Sequence, residues 1–201
     1  MILTPTKENI NLIAQELLNG KVIIFPTDTV FGIGCIATNT KSIETIYELK
    51  GRNKNKTLLL NFPNITNIKK FAIINKNEEK ILKNTNKLTL IVKSKPNTLL
   101  SPYTIKDGKI GVRIPTNKLL LQLLKKIKTP LISTSCNKSG KTSCITASSA
   151  EKIFGKNIII LQENEPLSGI PSTIIEIKEN KATLLRQGDI SLNEIEKILK
   201  N

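Results

Sequence analysis

Short apolar runs alternate along this chain with stretches whose apolar residues recur every three or four positions. The first such stretch, residues 7–19, places Ile10, Ile13, Leu17 and Leu18 on one helical face, and Gly20 is a stop signal. Val22-Ile23-Ile24-Phe25 follows at once as a buried strand closed by Pro26. Residues 40–50 then read as a helix with Ile43, Ile46 and Tyr47 in line, and residues 57–62 as a strand. Further helices are expected at 65–72, 77–84, 119–126, 147–154 and 192–199. Further strands are expected at 88–92, 111–114, 131–134, 158–161, 173–177 and 182–186. The segments 27–34, which holds two glycines, and 95–109, which holds two prolines, read as loops; the second is either a lid or an ordinary surface loop. Interleaved helices and apolar strands predict an α/β fold around a mixed, largely buried sheet. No repeat and no linker divides the chain, so residues 1–201 are expected to form a single domain.

Charge narrows the partners. The chain has 31 basic and 16 acidic residues, a net charge of +15, which favours anions such as nucleotides or RNA. Lysine supplies nearly all of it; arginine stands only at 52, 113 and 186. A guanidinium is a planar fork that grips carboxylate or phosphate with two hydrogen bonds, which an ammonium does not imitate. Arg52, Arg113 and Arg186 are therefore candidate anion ligands. Histidine is absent, which excludes His-based acid–base catalysis, Ser-His-Asp triads and His-ligated metals. Three cysteines without C-x-x-C spacing give neither a disulfide framework nor a zinc site. No apolar run reaches the ~18 residues of a membrane span, no signal-peptide pattern opens the chain, and a cytoplasmic location without membrane contact is expected.

Two segments carry candidate chemistry. Lys50-Gly51-Arg52, with Lys56 after it, sets three cations beside a strand start, where they either neutralise a polyphosphate or form a basic helix end that complements the helix dipole. Lys50 continues the apolar face of its helix, so it either snorkels to water or points into a cleft. The polar run from Ser133 to Gly140 follows a buried strand, and is either an ordinary turn or the lining of a nucleotide pocket beyond a strand end. There is no P-loop: Ser139-Gly140-Lys141-Thr142 lacks the upstream glycine.

Together, these strings resemble the YrdC-type family of L-threonylcarbamoyladenylate synthases in its short, single-domain form. Pro26-Thr27-Asp28-Thr29-Val30-Phe31-Gly32 is similar to the family's opening loop, and Lys50-Gly51-Arg52 to its Lys-x-Arg motif. Ser135-Cys136-Asn137 is similar to its Ser-x-Asn motif. Val112-Arg113-Ile114-Pro115, residues 171–175 and Leu185-Arg186-Gln187-Gly188 match further segments in the family's order. The departures are Asn53 in place of a common proline, Thr57, Asn61 where some members have histidine, Cys136 for alanine, and residues 84–87 for a Pro-Gly turn.

The resemblance implies a twisted open sheet with flanking helices around a basic cavity. It implies that L-threonine, bicarbonate and ATP give L-threonylcarbamoyladenylate and pyrophosphate, with Mg2+ carried in on the nucleotide and no protein-held metal. By position, Lys50, Arg52, Lys56, Asn137, Thr146 and Arg186 are expected to hold ATP. Thr27, Thr29, Asn61, Arg113, Ser135 and Ser172 are expected around threonine. Lys50, Arg52, Ser135 and Asn137 are expected to carry catalysis. The expected partners are a downstream threonylcarbamoyl-transferase complex and tRNA or RNA. The competing expectations are an RNA-binding protein using the same cavity and a family member with another substrate.

Overall fold

The computed structural model describes residues 1–163, 165 and 167–200. Its strands are β1 (Ile2–Leu3), β2 (Ile23–Pro26), β3 (Phe31–Ile36), β4 (Leu59–Asn61), β5 (Ala72–Ile73), β6 (Leu88–Ser94), β7 (Lys109–Arg113), β8 (Leu131–Ser135), β9 (Ile159–Leu161), β10 (Thr173–Lys178) and β11 (Lys181–Arg186). Its helices are α1 (Lys7–Leu18), α2 (Thr40–Lys50), α3 (Ile65–Phe71), α4 (Lys76–Asn84), α5 (Lys118–Ile127), α6 (Ala147–Phe154) and α7 (Leu192–Lys200). The strands form one mixed sheet in the order β1-β9-β2-β3-β8-β4-β7-β6-β10-β11, with β5 beside β6. The expected α/β architecture with a mixed sheet is what the chain adopts. Asparagine, abundant in this sequence, supplies four of the helix N-caps: Asn39, Asn64, Asn75 and Asn117 each accept a backbone N–H of the first turn.

Cross-strand register sorts side chains onto two faces. One face carries Ile33, Cys35, Leu60, Leu90, Val112, Ile132 and Ile175, all buried among the apolar sides of α2, α3, α4, α6 and α7. The other face is divided. Over β2, α1 and α5 pack together through Ile10, Ile13, Leu17, Leu120, Leu123 and Leu124 onto Phe25 and Leu131. Beyond them the same face shows Gly32, Ser133, Ser135, Leu59, Arg113, Ile91, Ile174 and Arg186, paired strand to strand. These residues, small and polar ones beside three large aliphatic ones, line a cavity.

Residues 31–34, expected in a loop, belong to β3. Glycines in a strand usually weaken it, but here they make room. A Cβ on Gly34 would lie 2.1 Å from the Ile132 carbonyl oxygen and 2.9 Å from the Phe25 ring. The glycines therefore let β3 approach β8 beneath Phe25. The strand expected at 57–62 is only Leu59–Asn61, and residues 102–104 within the expected loop form a turn of 3-10 helix. Among the described residues no helix is long and apolar enough to cross a membrane.

Candidate active site

The cavity on the open face measures about 390 Å3 and is lined by residues from the β2–β3 turn, α2–β4, β7, β8 and the β10–β11 pair. All three arginines reach it: Arg52, Arg113 and Arg186 are in its wall together with Thr27, Thr29, Ser133, Thr134, Ser135, Ser143 and Ser172. They are close enough to repel. Burial, then Arg113 and Arg52, pull the Arg186 guanidinium below its ordinary pKa. A larger, more open recess of about 520 Å3 lies among α1, α2 and α6, but it contains none of the arginines, and its lysines, Lys21 and Lys41, are exposed. We place the site at the smaller cavity, where the charge and the hydroxyls converge.

Each arginine is fixed differently. Arg52 donates from Nε to the Lys56 carbonyl (3.4 Å) and from Nη2 to the Thr57 carbonyl (3.2 Å). Arg186 donates from Nε (3.0 Å) and Nη2 (2.7 Å) to the Ser172 carbonyl, and from Nη2 to Ser172 Oγ (3.1 Å), which also shares a proton with Thr89 Oγ1 (3.1 Å). Arg113 is 8% exposed and donates from Nη2 to Asp28 Oδ2 at 2.9 Å. Its Nε is buried without a partner. A buried guanidinium N–H without a partner costs desolvation energy until an acceptor reaches it.

The turn from β2 into β3 positions two hydroxyls. Thr27 Oγ1 donates to the Val30 carbonyl (2.7 Å), accepts the Thr29 N–H (3.2 Å) and lies 3.1 Å from Thr29 Oγ1. Both threonines are buried against the cavity.

Lys50 neither snorkels nor enters the cleft. It is 2% exposed, and its Nζ donates to the carbonyls of Ser135 and Asn137 (2.7 Å for the latter) and to Asn137 Oδ1 (2.9 Å). An ammonium has three protons, so these three oxygens saturate it. Asn137 is held in turn: Ser135 Oγ donates to Oδ1 (2.8 Å) and its Nδ2 donates to the Lys141 carbonyl. The Lys50 carbonyl accepts the Ser139 N–H (2.9 Å), and Lys138 Nζ donates to the Leu49 carbonyl (2.6 Å). The loop after β8 is thus folded around the end of α2, with Lys50 as its hub. Burial first, and Arg52 second, lower the Lys50 pKa to about 8.

Of the other expected residues, Ser135 and Ser172 line the cavity while Asn137 supports it from behind. Asn61 is buried one layer away, donating to Ser133 Oγ (2.8 Å) and the Leu131 carbonyl (3.2 Å). Lys56 is exposed and outside the lining; its carbonyl, not its ammonium, contributes, by holding Arg52 and the Tyr47 hydroxyl. Thr146 is also exposed and outside the lining, where it caps α6 through Ser149. Ser133 and Thr134, in the polar run expected either as a turn or as a pocket lining, do line the cavity; for Asp28, Thr89 and Ser143 the sequence alone signals no role, although Asp28 stands inside the Pro26–Gly32 string. Among the described residues no group of three or more His, Cys, Asp or Glu could hold a metal.

Known proteins resemble this chain in sequence and fold. The Sua5/YciO/YrdC family pattern, described as telomere recombination, matches residues 15–188. The threonylcarbamoyl-AMP synthase of Buchnera aphidicola subsp. Acyrthosiphon pisum is 31% identical over 172 residues, 82% of this chain and 97% of the relative. The threonylcarbamoyl-AMP synthase of Pyrococcus abyssi is 31% identical over 196 residues, 94% of this chain but only 57% of the relative, so the chain spans little more than half of that protein. The crystal structure of Pyrococcus abyssi Sua5 complexed with L-threonine superposes with a TM-score of 0.90 at 28% identity, covering 98% of this chain and 60% of that one.

Proposed function

The chain belongs to the Sua5/YciO/YrdC family, and from that membership we propose that it is a threonylcarbamoyl-AMP synthase, an enzyme that transfers a nucleotidyl group from ATP to threonine carbamate. The amine of L-threonine takes up bicarbonate or CO2 to give a carbamate. A carbamate oxygen attacks the α-phosphorus of ATP, the bond from that phosphorus to the β-phosphate bridge breaks, and pyrophosphate leaves. The product is L-threonylcarbamoyladenylate, the donor for N6-threonylcarbamoyladenosine beside the tRNA anticodon.

The observation that carries this reading is the convergence of all three arginines of a lysine-dominated chain on one cavity. Its volume lies within the roughly 300–1,000 Å3 of small-molecule sites. Arg113, with its free Nε, suits the carboxylate of threonine, and Thr27, Thr29, Ser135 and Ser172 stand round it with hydroxyls for the remaining polar atoms. Arg52 and Arg186 suit the phosphates, where they offset the charge that grows on departing pyrophosphate. No general base is needed at the attacking oxygen, because the carbamate is already anionic; alignment and charge stabilisation suffice. Lys50 and Asn137 hold the Ser135 loop in place rather than touching substrate.

Mg2+ would come with ATP and supply charge neutralisation at the phosphates; the described lining offers hydroxyls and three arginines rather than carboxylates. The net charge of +15 suits contact with tRNA, and the reactive adenylate calls for a downstream transferase to consume it.

The test is pyrophosphate release from ATP with bicarbonate, with and without L-threonine, for the wild type and for Arg52→Ala. Release that requires threonine and is lost in the variant supports the reading. No release from folded wild type with any amino acid overturns it.

A further inference from the structure

We infer that Asp28 is a positioning residue: it holds Arg113 so that one edge of the guanidinium stays open to a substrate carboxylate. The inference rests on the proposed synthase reading. The side chain of Asp28 is 3% exposed, and its two oxygens face in different directions. Oδ2 accepts from Arg113 Nη2 at 2.9 Å. Oδ1 accepts from Thr116 N (2.8 Å), Thr116 Oγ1 (2.7 Å) and Asn117 N.

This division matters. A carboxylate facing arginine squarely takes two of its N–H groups at once. Here Oδ1 is turned onto the backbone that leads into α5, so Asp28 takes one N–H only, and Arg113 Nε remains buried and unpartnered beside the cavity. Asp28 is turned toward Arg113, Thr116 and Asn117 and is outside the cavity lining, so it acts on substrate through Arg113 alone. It also sits between Thr27 and Thr29, so one carboxylate ties the threonine turn, the end of β7 and the start of α5 into a single unit. Its negative charge favours the charged form of Arg113, against the burial that disfavours it.

Asp28→Asn separates these roles. The amide oxygen still accepts from Thr116 and Asn117, but an N–H2 group now faces the guanidinium and turns it away. The measurement is calorimetric binding of L-threonine and of L-threoninamide, which lacks the carboxylate, together with the melting temperature. The wild type should prefer L-threonine by about tenfold or more, the scale of one charge-assisted fork. In Asp28→Asn that preference should fall toward one, by selective loss of L-threonine affinity. Thr116→Val, which removes one bond to Oδ1 and leaves the Arg113 contact, should keep it. If Asp28→Asn keeps the preference, or if both variants lose affinity for the two ligands equally, the inference is overturned and the synthase reading stands. A wild type that binds neither ligand overturns the synthase reading, and the inference with it.

Discussion

Replacing Lys50 with methionine distinguishes a structural hub from a phosphate ligand. The side chain keeps its length but loses three donors: the Asn137 carbonyl loses its partner, while the Ser135 carbonyl keeps the Asn137 N–H and Asn137 Oδ1 keeps the Ser135 hydroxyl. Each buried acceptor stripped of its donor costs about 1–3 kcal/mol. Part of that is returned, because a buried ammonium no longer has to be desolvated, the same burial that lowers the Lys50 pKa. The partners are neutral oxygens, so no charge is stranded, and the net destabilisation is about 1–3 kcal/mol, the cost of one orphaned acceptor and two weakened ones. For a chain of this length that is a fall of about 2–12 °C in melting temperature. The assay is urea unfolding without nucleotide or threonine. A direct phosphate ligand with no structural duty predicts the opposite, since removing a buried charge would stabilise the free protein. A Lys50→Met variant as stable as the wild type, or more so, refutes the hub. The pH dependence carries its own sign. Between pH 8 and the ordinary lysine value of 10.5 the unfolded chain binds a proton that the folded chain does not. The stability of the wild type relative to Lys50→Met should therefore rise with pH across that window, and lose this gain as pH falls to 8.

Three further outcomes are expected. Pyrophosphate at a hundred times its Kd should stabilise the protein by about 2.7 kcal/mol, seen as a rise of roughly 5–10 °C in a thermal melt, and Arg186→Ala should abolish most of it. Thr146→Ala should cost about 1 kcal/mol in urea unfolding through its lost cap while ATP affinity, measured by calorimetry, stays unchanged. Gly34→Ala should destabilise by about 3 kcal/mol, because the new methyl group meets main chain at Ile132 that has nowhere to go; near-wild-type stability would mean that β3 and β8 can part.

What the sequence disclosed and what it hid divide along contact distance. Three arginines in a chain that otherwise uses lysine are candidate anion ligands from composition alone, because guanidinium has a fork geometry that ammonium lacks, and all three line the cavity. Helical periodicity placed Lys50 on the buried face of α2, yet nothing local says what covers that face. The cover is a loop 85 to 87 residues later, and it occupies every proton of the ammonium. Asp28 was passed over for the same reason: Arg113, Thr116 and Asn117 lie 85 to 89 residues away. The glycines of β3 read as punctuation because their purpose, admitting Phe25 and the Ile132 carbonyl, is tertiary. The two-residue strands β1 and β5 are too short to show any period. A residue type thus announces its chemistry locally, but whether its donors are free is decided by distant partners. Arg52 and Lys50, two positions apart in one motif, differ in this respect: one reaches the cavity wall, and the other is saturated behind it.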